Sequence, residues 1–164
     1  MGYDKVLVTL DGSKFAEIAL EHAIKVANLG ANIHVLSVMA QDPISEIASM
    51  VSAAAQPLAD EEQAWPPISR PDDPRAAHAR EDYLRRVSDW LAQAGYDVTV
   101  EVRPGNVIET IVSVAQDGFD IVIMATHGRT GLARMALGSI AEGVLHRSPC
   151  PVLLVPARAV QANQ

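Results

Sequence analysis

The chain is short of the residues that staple small folds and of those that build bulky cores. Of its 164 residues only Cys150 is a cysteine, and Phe, Trp and Tyr together make up 4%. One thiol closes no intramolecular disulfide and builds no cysteine metal cage. Beside an apolar strand, Cys150 reads as a plain buried thiol. The core must then be aliphatic, and a chain of this length can bury one without staples. Positive charge is scarce too: 13 Lys and Arg against 20 Asp and Glu give a formal net charge of −7. Such a chain repels a phosphate backbone unless its bases cluster, so no nucleic acid partner is expected. No apolar stretch reaches the length that spans a bilayer, and Met1–Lys5 carries neither a basic n-region nor an apolar h-region. No membrane is expected, and the expected location is cytoplasmic. Two nucleotide motifs are missing: there is no G-x-x-x-x-G-K-[ST], and no G-x-G-x-x-G follows the first strand. The five histidines are scattered, without H-E-x-x-H or other ligand spacing.

Strand-like runs at residues 5–10, 33–39, 97–104, 120–126 and 151–156 alternate with segments of helical period. Phe15, Ala19, Ala23 and Val26 mark one face of a helix that starts near Ser13, with Gly30 as its stop. Leu84, Val87, Leu91 and Ala94 mark a second, ended by Gly95. A third opens at Asn106 as N-cap with Glu109 at N3, and closes at Gly118. The fourth, over 139–147, begins with Ser139-x-x-Glu142, a capping box. Strands alternating with helices give βαβ units, hence an α/β domain whose mainly parallel sheet is covered on both faces. In "DVTVEVR" the apolar residues Val98, Val100 and Val102 alternate with polar ones, which suits a sheet edge. "VLVTL" and "IVIMA" are apolar on both faces and suit the middle. The last strand is nearly all apolar yet ends the chain. As the other edge, it predicts a homodimer through Pro151, Val152, Leu153, Leu154 and Val155; the alternative is that the helices and the tail 157–164 cover it. Residues 40–75 hold six of the ten prolines. They read as an insertion in a single domain spanning 1–164, with Ile44, Ile47, Val51 and Ala54 at helical spacing.

The stretch "ATHGRTGLARMALGSIAEG", residues 125–143, follows an apolar strand and carries four glycines. Between Asp120 and Glu142 there is no acidic residue, whereas His127, Arg129 and Arg134 are basic: a local positive field on an acidic chain. Gly128 and Gly131 permit backbone shapes and close approaches that a Cβ forbids. Gly138-Ser139 then opens a helix, whose free amides and dipole favour an anion. In an open parallel sheet ligands bind beyond the carboxyl ends of the strands, where strand order reverses. There this loop should meet "TLDGS" from the first strand. The physics points to a phosphate-bearing ligand.

Gly-x-x-Gly, nine residues, then Gly-Ser is the nucleotide-binding signature of the universal stress protein family. "ATHGRTGLARMALGS" resembles it through Gly128, nine residues, Gly138 and Ser139. "KVLVTLDGS", "HVLSVM" and "VLHRSPCPVLLVP" are similar to that family as well, and the likeness covers nearly the whole chain outside 40–75. The resemblance is to the ATP-binding subgroup. It implies a Rossmann-like five-stranded parallel sheet of order 3-2-1-4-5 and a dimer through the last strand. By the same resemblance Leu10 and Asp11 line the adenosine side, and Val38 gives backbone contacts to adenine. Met124, Ala125, His127 and Gly128 flank ribose and phosphates, and Gly138, Ser139 and Ile140 hold the phosphate tail. One position departs: Ala125 replaces the first glycine of the signature. Its methyl is tolerated where φ is negative and obstructs where φ is positive or the backbone touches the ligand.

Each of these residues also has a plainer role. Asp11 suits a ribose hydroxyl or a magnesium ion, and equally caps the turn into the first helix. Ser139 and Glu142 explain each other as a capping box. No residue stands out as a base to activate water, and with no G-x-S-x-G elbow, Ser139, His127 and Asp11 make a poor hydrolase triad. No catalytic residue is assigned. The expectation is an ATP-binding or other adenine-nucleotide-binding stress-response module. The alternatives are a slow ATPase or phosphotransferase, and an interaction module that has lost nucleotide binding.

Overall fold

A computed structural model describes residues 2–13, 16–40, 74–126 and 138–156, and five strands alternate there with four helices. They run β1 (Tyr3–Thr9), α1 (Glu17–Val26), β2 (Ala27–Ala40), α2 (Pro74–Gln93), β3 (Asp97–Gly105), α3 (Val107–Ala115), β4 (Ile121–Thr126), α4 (Ser139–Arg147) and β5 (Val152–Pro156). Every strand pairing is parallel, in the order β3-β2-β1-β4-β5. This is the predicted doubly wound sheet, with the alternating strand at one edge and the apolar last strand at the other.

Strand alternation sorts the aliphatic side chains into two cores. Val6, Val8, Ile33, Val35, Ile121 and Ile123 meet Ala19 and Ala23 of α1 and Leu84, Val87 and Leu91 of α2 on one face. Leu7, Leu36, Val122 and Met124 meet Ile111 and Val114 of α3 and Ala141 and Val144 of α4 on the other. Because both faces of β1 are covered, Val6, Leu7 and Val8 are wholly buried, which is why "KVLV" shows no polar alternation. Each such side chain stabilises the fold by about 1.5–3 kcal/mol.

On the edge strand β3, Glu101 Oε1 accepts from Arg103 Nε at 2.5 Å, and Glu101 Oε2 lies 3.1 Å from His34 Nε2 of β2. Burial pushes the Glu101 carboxyl up, but the hydrogen bonds and charges of Arg103 and His34 outweigh it and hold it below the ordinary carboxylate range. A carboxyl whose folded-state value is depressed contributes stability above its unfolded value and loses it as pH falls through the folded one. Urea midpoints measured from neutral pH down through the carboxylate range should therefore fall less steeply for Glu101→Gln than for the parent chain. Identical acid profiles would remove Glu101 from the account.

Three helix ends follow the sequence. Asn106 Oδ1 accepts from Glu109 N at 3.1 Å to cap α3, and Gly95 and Gly118 take φ of +92° and +83° where α2 and α3 give way to turns. Two bounds of α1 differ. It begins at Glu17 rather than near Ser13, because Asp11 and Ser13 are spent on the preceding turn. It ends at Val26 rather than at Gly30, because Ala27 is already extended and pairs with Tyr3. Asn28 fixes this departure: its side-chain nitrogen donates to Gly2 O at 3.0 Å and to Asp4 Oδ1 at 2.7 Å. Gly30, at φ +81°, instead lies where the β1–β2 register slips between Tyr3 and Lys5. Ala94 is exposed in the turn after α2 rather than buried on its face. The helical spacing at Ile44–Ala54 and the tail 157–164 lie outside the described residues.

Candidate functional site

In a parallel sheet every crossover helix starts at the carboxyl ends of the strands. β1 leads toward β2 on one side and β4 toward β5 on the other, so their carboxyl ends frame a crevice where the chain's winding reverses. Thr9 pairs with Met124, and Leu10 N continues β1 by donating to Leu36 O at 2.9 Å. Four pieces meet at this end: the β1–α1 turn, the last residues of β2 and of β4, and the first turn of α4. Val38 and Met124 share one apolar cluster with Ala141, which seats the start of α4 beside β2 and β4.

The β1–α1 turn is held by its own side chains. Asp11 Oδ1 accepts from Ser13 N at 2.9 Å, Ser13 Oγ accepts from Ala16 N at 3.2 Å, and Gly12 takes φ +88°. An L side chain rarely adopts that φ, so glycine is required for the turn to place Asp11 here. Asp11 is exposed while holding the turn. Leu10 differs from its neighbour: its side chain is buried in the first core, so only its backbone faces the crevice.

Ala125 is extended within β4, pairs with Val155, and packs its methyl against the first core. A strand residue needs no left-handed backbone, so the alanine that departs from the signature carries no conformational cost. Met124 is buried beneath the crevice, and Val38 is half-buried opposite Arg103. His127 and Gly128, with Arg129, Gly131 and Arg134, lie outside the described residues.

At α4 the expected capping box is absent. Gly138, not Ser139, is the N-cap, no side chain caps the helix, and the first helical bond runs from Glu142 N to Gly138 O. Ser139 is thus the first helical residue, its hydroxyl exposed, and the amides of Ser139, Ile140 and Ala141 have no partner within the helix. Gly138 has an ordinary φ of −54°, and a Cβ on it would meet nothing within 4 Å among the described residues. Neither its conformation nor its packing among the described residues calls for glycine.

One part of the site escaped the sequence reading. On α2, Tyr83 shares a buried cluster with Leu84, Val87 and Leu91, and Arg80 lies one turn before Leu84. Tyr83 is buried, in the same core cluster as Leu10 and Ala16. Burial, then the Glu17 carboxylate with which its hydroxyl is hydrogen-bonded, pushes its phenol well above the ordinary value. Arg80 is pulled down by burial and back up by the Asp11 carboxylate. A guanidinium stays cationic under such pulls. Four residues back from Leu84 is Arg80, and four back from Val87 is Tyr83, so the helical spacing extended toward the start of α2 would have found both residues. Among the described residues no group of three or more His, Cys, Asp or Glu side chains could hold a metal ion.

A doubly wound parallel sheet with a glycine-entered helix at its switch point defines a class: an α/β domain of the Rossmann-like kind. The comparisons narrow it. A profile of the Universal stress protein family matches residues 2–156, and the chain belongs to that family. Universal stress protein MJ0577 of Methanocaldococcus jannaschii is 32% identical over 157 residues, 93% of this chain and 94% of that protein. Universal stress protein Sll1388 of Synechocystis is 28% identical over 160 residues, 94% of this chain and 99% of that one. The solved structure of MJ0577 superposes with a TM-score of 0.68 at 27% identity, covering 95% of this chain and 97% of its own. A universal stress protein in complex with cAMP superposes with a TM-score of 0.62 at 20% identity, over 94% and 98%, and speaks to the fold alone.

Proposed function

We propose that this chain binds an adenine nucleotide, ATP foremost, at the carboxyl end of its sheet, and that the binding is its signal in a stress response. The observation that carries this is Gly138. It is the N-cap of α4, where nothing among the described residues excludes a side chain. Unpartnered amides at a helix start attract phosphate, and a residue without Cβ lets that phosphate reach them. Asp11 stands across the crevice where a ribose hydroxyl would be read, and Val38 offers extended backbone to the base. Ala125 is accommodated because its methyl belongs to the core.

In this reading 1–164 is one cytoplasmic domain, and the acid-free stretch 127–138 gains an anion for its amides on binding. β5 leaves an open edge through which two chains pair, so the working unit is a homodimer. The role in this reading is binding rather than turnover: among the described residues no side chain at the crevice is placed as a base for water.

Mass analysis of the purified protein should find a co-purifying adenine nucleotide. After its removal, isothermal titration should give saturable binding of ATP, with guanine and pyrimidine nucleotides weaker. No nucleotide at purification and no heat with ATP at millimolar concentration would refute the reading.

A further inference from the structure

We infer that α4 supplies half of the surface on which a second copy of this chain docks: its Leu145 flank packs against the α4 of that copy once two β5 edges have joined. The inference rests on the β5 pairing and deepens it. Leu145 is 45% exposed, and its direction follows from its neighbours. Ala141 and Val144 are buried with Val122, Met124, Val152 and Leu154, so that side of α4 meets β4 and β5. Gly143 faces α3, where a Cβ on it would strike the Ile108 side chain. α3 in turn lies toward β2, away from the β5 edge. Each residue advances about 100° around a helix, so Leu145 stands about 200° from Gly143. It therefore looks away from α3, toward the open edge. The other large apolar residues exposed among the described ones stand elsewhere: Leu29 beside Gly95, Trp90 on α2, Val100 on β3 and Ile140 in the first turn of α4.

Two copies of one edge strand join antiparallel about a two-fold axis normal to the sheet, which keeps the same face of both sheets upward. Both α4 helices then lie on one face of a continuous sheet. Strands are spaced by about 4.8 Å, so a helix centred over β4 and β5 stands about 5 Å from the axis and about 10 Å from its copy. That is a distance at which helices pack. The flank each helix turns to the other is the one that carries Leu145. The strand edge alone is small: β5 is Val152–Pro156, and alternation turns only Val152 and Leu154 outward. A stable interface buries on the order of 1,000 Å² or more, so the pair needs area beside the ladder. Charge favours the same contact. α4 has Glu142 in its first turn and His146 and Arg147 in its last, and antiparallel copies set the acidic start of one beside the basic end of the other.

The test compares the full-length parent chain with Leu145→Ser, Leu145→Met and Trp90→Ser by sedimentation equilibrium over a dilution series from nanomolar to tens of micromolar. Leu145→Ser should weaken pairing by about thirtyfold, because symmetry takes a leucine from each side of the contact. Leu145→Met keeps the apolar volume and should stay within about threefold of the parent. Trp90→Ser removes an exposed apolar side chain outside the flank and should leave pairing unchanged. Far-UV circular dichroism confirms that each variant is folded. Parental pairing in Leu145→Ser, or an equal loss in Leu145→Met or in Trp90→Ser, would overturn the inference. A parent chain that stays monomeric throughout the series would instead overturn the β5 pairing on which it stands, as would a Leu154→Pro chain that pairs as tightly as the parent.

Discussion

Replacing Gly138 by valine should lower ATP affinity by about a hundredfold, the worth of two amide–phosphate contacts, and leave the thermal midpoint within a degree or two of the parent. The two halves come from separate observations. Stability is spared because valine accepts the φ of −54° and ψ of 148° found at this position, and its Cβ meets nothing within 4 Å among the described residues. Binding is lost because the added side chain fills the space through which a phosphate would reach the amides of Ser139 and Ile140. A glycine kept for folding would show the reverse pattern, a lower midpoint with affinity preserved. Titration calorimetry beside scanning calorimetry on the same preparation separates the two.

Leu154→Pro should turn a dimeric protein into a monomer that keeps its fold and its nucleotide affinity. Val122 N donates to Pro151 O at 2.9 Å, so Pro151, Leu153 and Val155 turn their backbone groups toward β4. By alternation, Val152 and Leu154 turn theirs to the open edge. Proline at 154 removes an outward N–H and leaves the β4 ladder whole, the circumstance in which a strand tolerates it. An interface built on that edge would lose a ladder bond and gain a steric block at its centre. Light scattering at tens of micromolar should show the mass halved, with the far-UV spectrum unchanged. A variant that stays dimeric would move the interface elsewhere, to helix faces or to residues beyond β5.

The sheet was legible because burial writes itself into the strands. Val6, Leu7 and Val8 are apolar on both faces because helices cover both, and Val98, Val100 and Val102 alternate because β3 is an edge. Helix ends were legible at the Asn106 cap and at the glycine stops Gly95 and Gly118, whereas Ser139-x-x-Glu142 misled. A capping box and a glycine cap are spelled with the same letters when Gly precedes Ser, and tertiary placement decides between them. Gly30 misled for a related reason, since a positive φ serves a strand irregularity as well as a helix stop. Asp11 was readable from its place after β1. The second half of the site, His127 to Arg134, rests on the family signature and on its lack of acidic residues.

The central claim is that phosphate meets the open start of α4. Backbone amide resonances followed during titration with ATP test it most directly. Saturable shifts largest at Ser139, Ile140 and Ala141, with smaller ones at Asp11 and Val38 and a common dissociation constant, are the predicted result. Unmoved amides at residues 139–141 while ATP binds, with the shifts gathered on another face of the sheet, would contradict it.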